Sequence, residues 1–182
     1  TATTTCTVTQ PTQLVAAAVV NGSILCNGGT TTVTVSATGG TPAYNGTGTF
    51  TVGAGSYTYN VTDANGCPAS VSVEITEPAP LEVSLLVQER VRCNNDCNAV
   101  IISSVTGGTG AYSYLWSDGS TGAFVGGACA GSYDVTVTDE NGCEAMSDVV
   151  ELDNPEVLDL SALITAEDDD CGDAICNGSA SI

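Results

Sequence analysis

Hydrophobic and polar residues alternate with a period of two along most of this chain. In Gly131–Cys143 (GSYDVTVTDENGC), Tyr133, Val135 and Val137 are interleaved with Asp134 and Thr136, the pattern of a strand with one buried face. Asn141-Gly142 follows, a pair suited to a type I′ hairpin turn, and Cys143 opens a return strand. The stretch Gly55–Cys67 (GSYTYNVTDANGC) is an earlier copy of the same unit. Further along the same lines, strands are expected near residues 81–87, 98–105, 111–117, 122–126, 131–138 and 145–152.

The alternation recurs at longer range. Pro11, Pro78 and Pro155 each close an alternating segment: TCTVTQP, VSVEITEP and DVVELDNP. After each proline come a second strand-like segment and a cysteine, Cys26, Cys93 or Cys171; in the first two copies a Gly-Gly pair follows, Gly39-Gly40 or Gly107-Gly108. The chain therefore reads as two complete units, 12–78 and 79–155. Residues 1–11 read as the last strand of an upstream unit, and 156–182 as the first strands of a downstream one. Such a chain is expected to be a window on a longer tandem array. Pro78, Pro80 and Pro155 fall between units, where a fixed φ stiffens a linker and a missing N–H costs nothing. Many short strands between Gly- and Asn-rich turns make the expected fold class all-β: tandem immunoglobulin-like β-sandwich repeats. The Gly/Thr-rich segment Ala43–Gly55 of the first unit has no counterpart of YSYLWSDGST in the second, so its middle strands are the least patterned.

Charge removes several classes of partner. Against 21 acids stand two bases, Arg90 and Arg92, for a net charge of −19. Nucleic acid is excluded as a partner, because phosphate binding depends on Lys and Arg, and anionic membrane surfaces are disfavoured for the same reason. No apolar run approaches the ~20 residues of a membrane span. With neither His nor Lys, nucleophilic triads and Schiff-base chemistry have no residues to work with, and the chain is not expected to be an enzyme.

The nine cysteines, spaced unlike any zinc or thioredoxin motif, point to disulfides in a secreted or cell-surface protein. In the first unit Cys26 and Cys67 are the available pair. The second unit's four cysteines allow three connectivities. Cys93 with Cys143 repeats the positions of Cys26 and Cys67, which leaves Cys97 with Cys129. Cys6, Cys171 and Cys176 belong to the incomplete units, with partners expected outside the chain.

CNNDCNAVIISSVTGGTGAYSYLWSDGST…ACAGSYDVTVTDENGCEA closely resembles the SprB-type repeat of cell-surface adhesins of gliding Bacteroidota. The second unit matches along its length. The first matches at Cys26-Asn-Gly, Gly39-Gly40-Thr-Pro and Gly55–Cys67, and lacks the Tyr-x-Trp strand and second cysteine pair. The resemblance implies an extracellular array of β-sandwich repeats on a bacterial cell surface, exported by the type IX system. In gliding adhesins such arrays form long filaments moved by a surface motor.

Two candidate chemistries remain. Asp63-Ala-Asn-Gly and Asp139-Glu-Asn-Gly are fragments of a calcium loop without its terminal Glu, and read better as turns. Glu167, Asp168, Asp169, Asp170 and Asp173 form a denser oxygen cluster and are the weak calcium candidates; no other cofactor is expected. Tyr112, Tyr114 and Trp116 share a strand face: exposed, they would stack on sugar rings; buried, they would be core, which is the favoured reading.

The leading expectation is a structural stalk segment of a long secreted adhesin, touching adjacent repeats of its own chain and extending a tip toward a surface or polysaccharide ligand. The first alternative is a subunit of an assembled extracellular filament, contacting other copies. The second is a calcium-dependent carbohydrate-binding module.

Overall fold

The computed structural model describes residues 3–4, 9–158, 163–164 and 180–181. Among these the chain is all-β, with no helix, and every strand pair is antiparallel. The strands fall where alternation requires them. In β2 (Thr31–Thr38), Thr31, Val33 and Val35 are buried and the residues between them are not. In β4 (Gly55–Thr62), Tyr57, Tyr59 and Val61 point inward, and in β5 (Pro68–Ile75) Ala69, Val71, Val73 and Ile75 do so.

No strand pairing crosses from residues 12–78 to residues 79–155. In the first region β1 (Val15–Val20), β2 and β3 (Gly48–Val52) form one sheet, while β4 and β5 form a hairpin in continuous register from Gly55–Ile75 to Thr62–Pro68. Ile24, Val33, Val35, Val61 and Ile75 make a core with residues from both sheets.

In the second region β6 (Glu82–Glu89), β7 (Ala99–Thr106) and β9 (Phe124–Ala128) form the first sheet. The short strand β8 (Ser113–Trp116) joins β11 (Val135–Thr138) and β12 (Glu144–Met146). β10 (Gly131–Tyr133) pairs with β13 (Val150–Leu152). β10–β13 and β11–β12 are one hairpin interrupted in register: Tyr133 faces Val150, but Thr136 faces Met146. The extra residue sits near Ser147, whose hydroxyl accepts from the Val135 amide (3.1 Å). This core holds Ile101, Trp116, Val135 and Val137, all essentially inaccessible. These strands coincide, within a residue or two at most ends, with those expected from alternation.

Candidate functional site

The recurring Asp of VTD-x-NG-C is the keystone of one end of each region. Asp63 Oδ1 accepts from the amides of Asn65 and Cys67, and Oδ2 from the amide of Thr41, all at 2.9 Å. Asp139 repeats this with Asn141, Cys143 and Thr109, again at 2.9 Å, and adds the Thr109 hydroxyl (3.1 Å). One carboxylate thus shapes the hairpin turn and ties it to the Gly-Gly-Thr loop. Amide donors from Thr41 and Cys67 hold the Asp63 carboxyl below its ordinary range. At Asp139 burial pushes the other way, but the hydrogen bonds from Cys143 and Thr109 outweigh it and the net direction is again down.

The turn is not type I′. Positive φ occurs at Gly66 and Gly142 but not at Asn65 or Asn141, whereas type I′ needs it at both central residues. The amide of Gly66 donates to the Asp63 carbonyl (2.9 Å) and the amide of Asp63 to the Cys67 carbonyl (3.1 Å), giving a three-residue loop. Because the Asp side chain captures the next amides, the loop closes one residue wider than the Asn-Gly pair alone suggested. Gly40 and Gly108 also need positive φ, and a Cβ there would press on the Asp63 or Asp139 carboxylate.

At the opposite end of each region, the residue after the first cysteine reaches the outgoing linker. Asn27 Nδ2 donates to the Pro78 carbonyl (3.0 Å) and the Gly28 amide to Glu77 Oε2 (2.6 Å). In the second region Asn94 Nδ2 donates to the Pro155 carbonyl (2.8 Å) and the Asn95 amide to Asn154 Oδ1 (2.9 Å). These asparagines were not singled out from sequence. The recurrence of Cys-Asn at both positions was the available signal.

The two ends meet once. Cys26 of the first region is disulfide-bonded to Cys143 of the second, with Cα atoms 5.6 Å apart. Asn141 Nδ2 also donates to the Leu25 carbonyl (3.3 Å). A cleft beside the bridge is lined by Asn27, Pro80, Leu81, Gly142 and Glu144.

The expected pairs Cys26–Cys67 and Cys93–Cys143 are therefore not formed. Cys67 and Cys93 are unpaired and exposed. The cause is strand length. Cys26 precedes β2 at the linker end, and Cys67 follows β4 at the Asp63 end, so an eight-residue strand, about 25 Å, separates them. A disulfide needs Cα atoms within ~7 Å. Cys97 and Cys129 do pair, as expected, because Ala99 and Ala128 are register partners at the edge of β7 and β9.

Trp116 is core, with its Nε1 donating to the Gly122 carbonyl (2.7 Å), and Tyr112 and Tyr114 pack half-buried against the same cluster. The Tyr112 hydroxyl donates to the Gly107 carbonyl, as Tyr44 does to Gly39. No stacking platform is built from these three residues. The calcium candidates Glu167, Asp168, Asp169, Asp170 and Asp173, and the cysteines Cys6, Cys171 and Cys176, lie outside the described residues. Among the described residues no group of three metal-ligating side chains comes together, and no helix is long and apolar enough to cross a membrane.

No family model matches the chain, and no curated protein matches it. The two disulfides call for an oxidising environment, outside the reducing cytosol.

Proposed function

We propose that this chain is a stalk segment of a long, secreted tandem-repeat adhesin on a bacterial cell surface, and that its work is mechanical. In this reading residues 12–78 and 79–155 are successive immunoglobulin-like β-sandwich repeats of the SprB type. The bridge between Cys26 and Cys143 is the observation that carries it. It joins one region to the next in parallel with the linker through Pro78 and Pro80, so tension passes through two covalent paths. A second covalent path of this kind suits a rod that must transmit force.

Charge supports the same reading. A net charge of −19 keeps extended molecules apart and soluble, while the one ion pair among the described residues, Arg92–Glu89, is exposed and contributes little to stability. Covalent staples then supply what surface pairing does not. Burial of Trp116 withdraws the aromatic face on which a carbohydrate-binding reading depended.

The test is to label intact, unpermeabilised cells with antibody against this chain and to read the full gene. Surface labelling along filaments, with a gene encoding many such units, is the expected result. An intracellular protein would overturn the proposal.

A further inference from the structure

The two unpaired cysteines occupy the two half-sites of the bridge already formed. Cys93 stands in the second region where Cys26 stands in the first: each is followed by an asparagine bonded to the outgoing linker carbonyl, Pro155 or Pro78. Cys67 stands in the first region where Cys143 stands in the second: each donates its amide to the Asp63 or Asp139 carboxylate.

The surroundings match as well. The cleft at the Cys26–Cys143 bridge takes Leu81, Gly142 and Glu144 from one region and Asn27 from the other. An open groove at the start of the first region holds the corresponding Leu14 and Pro68 beside Cys67, and among the described residues none stands in Asn27's place. A second groove, at the end of the second region, holds Asn94 with Pro155 and Leu158, and among the described residues none stands in Cys143's place. Leu158 is 92% exposed there, whereas Leu14, at the equivalent linker position of the first region, is 6% exposed. Each groove is half of the observed junction.

We propose that Cys67 and Cys93 bond to the preceding and following units of the same repeat, so that the Cys26–Cys143 linkage recurs at every junction of an array. The occupant of both grooves is another unit of this repeat, and the inference rests on the tandem-repeat reading. Each bond forms by exchange with a low-molecular-weight disulfide. The two thiols give up two protons and two electrons, the new S–S bond forms, and two small thiols are released. Overlapping loops then run the length of the rod, and a single backbone cut at a linker leaves its two sides joined.

The experiment extends the full chain by two units, as residues 1–155 followed by 12–182, refolded with oxidised and reduced glutathione and isolated as a monomer. Free thiols are alkylated before non-reducing peptide mapping. The chain then contains one new kind of junction, where Cys93 of the first copy meets Cys67 of the second. A Cys93–Cys67 linked peptide with half of each residue alkylated is the expected result. Complete alkylation of both, or Cys26–Cys67 and Cys93–Cys143 peptides, overturns the inference. Small-angle scattering on the same sample tests the stalk reading separately: two more units should lengthen it by roughly 60–80 Å. A longer rod with Cys93 fully alkylated would sink the bridge and leave the stalk, and an unlengthened particle would sink the stalk.

Discussion

In the first region Thr62 meets Asn45 in a single bridge, and the chain turns away at Gly46. In the second the equivalent pair, Thr138 and Ser113, begins the strand that carries Trp116 into the core. The space is filled differently as a result. Where the second region has Val135 paired beside Trp116, the first has Tyr59, its ring 5.0 Å from that of Phe50. The second region also adds the Cys97–Cys129 staple. The ends tell the opposite story. The Asp turn, the Gly-Gly loop with its tyrosine hydroxyl, and the asparagine on the linker carbonyl recur in both, the one addition at the Asp turn being the Thr109 hydroxyl on Asp139. Interiors of these regions are interchangeable as long as volume is filled. What the chain holds constant is the geometry of its junctions.

The contrast can be broken hardest at Trp116. Trp116→Ala should cost about 3–5 kcal/mol, and the loss should be local: hydrogen exchange in β6–β13 rises while β1–β5 keep their protection. Equal loss in both regions would mean that their cores are not independent. Next in size is the double variant Cys97→Ser with Cys129→Ser, which should lower the urea stability of the second region by roughly 2–4 kcal/mol and leave the first region's transition in place.

The shared ends predict a shared response to acid. Because the folded-state carboxyls of Asp63 and Asp139 lie below their ordinary value of 3.8, their contribution is fully present above that pH and is lost as pH falls through the depressed values. Thermal melts of both regions should therefore fall together below about pH 4. Asp63→Asn and Asp139→Asn should each lower the melting temperature at pH 7 and flatten that acid limb for their own region. The smallest effect belongs to the aromatic substitute. Tyr59 has a buried hydroxyl with no hydrogen-bond partner among the described residues, so Tyr59→Phe should be neutral or stabilising by up to about 1 kcal/mol. A clear destabilisation would show that the hydroxyl is satisfied after all.

How much of this was legible beforehand depended on the kind of information required. Alternation marks which residues face inward, and Val33, Val61, Ile101, Val135 and Val137 follow it. It says nothing about which end of a unit a cysteine occupies, since that depends on how many times the chain crosses the unit in between. From Cys26 to Cys67 the chain crosses three times, along β2, β3 and β4, and ends on the far side. From Cys97 to Cys129 it crosses twice, because β8 and β9 run the same way and share one crossing, so the two thiols return to one end. In the sequence β8 and β9 look like two full strands, and Ala43–Gly55 hides β3 altogether. The crossings could not be counted, and the pairing of Cys26 and Cys143 stayed out of reach. The Asp turn was half visible: Asp-x-Asn-Gly marks a turn, but the cross-loop bonds to Thr41 and Thr109 come from residues more than twenty positions away.

The central claim is that successive regions are covalently joined at their junction, and non-reducing peptide mapping of the oxidised, alkylated chain tests it most directly. A linked peptide joining Cys26 to Cys143, with Cys67 and Cys93 carrying the alkyl label, is the predicted result. Peptides joining Cys26 to Cys67 and Cys93 to Cys143 would contradict it, closing each region on itself and leaving the junction held by the linker alone.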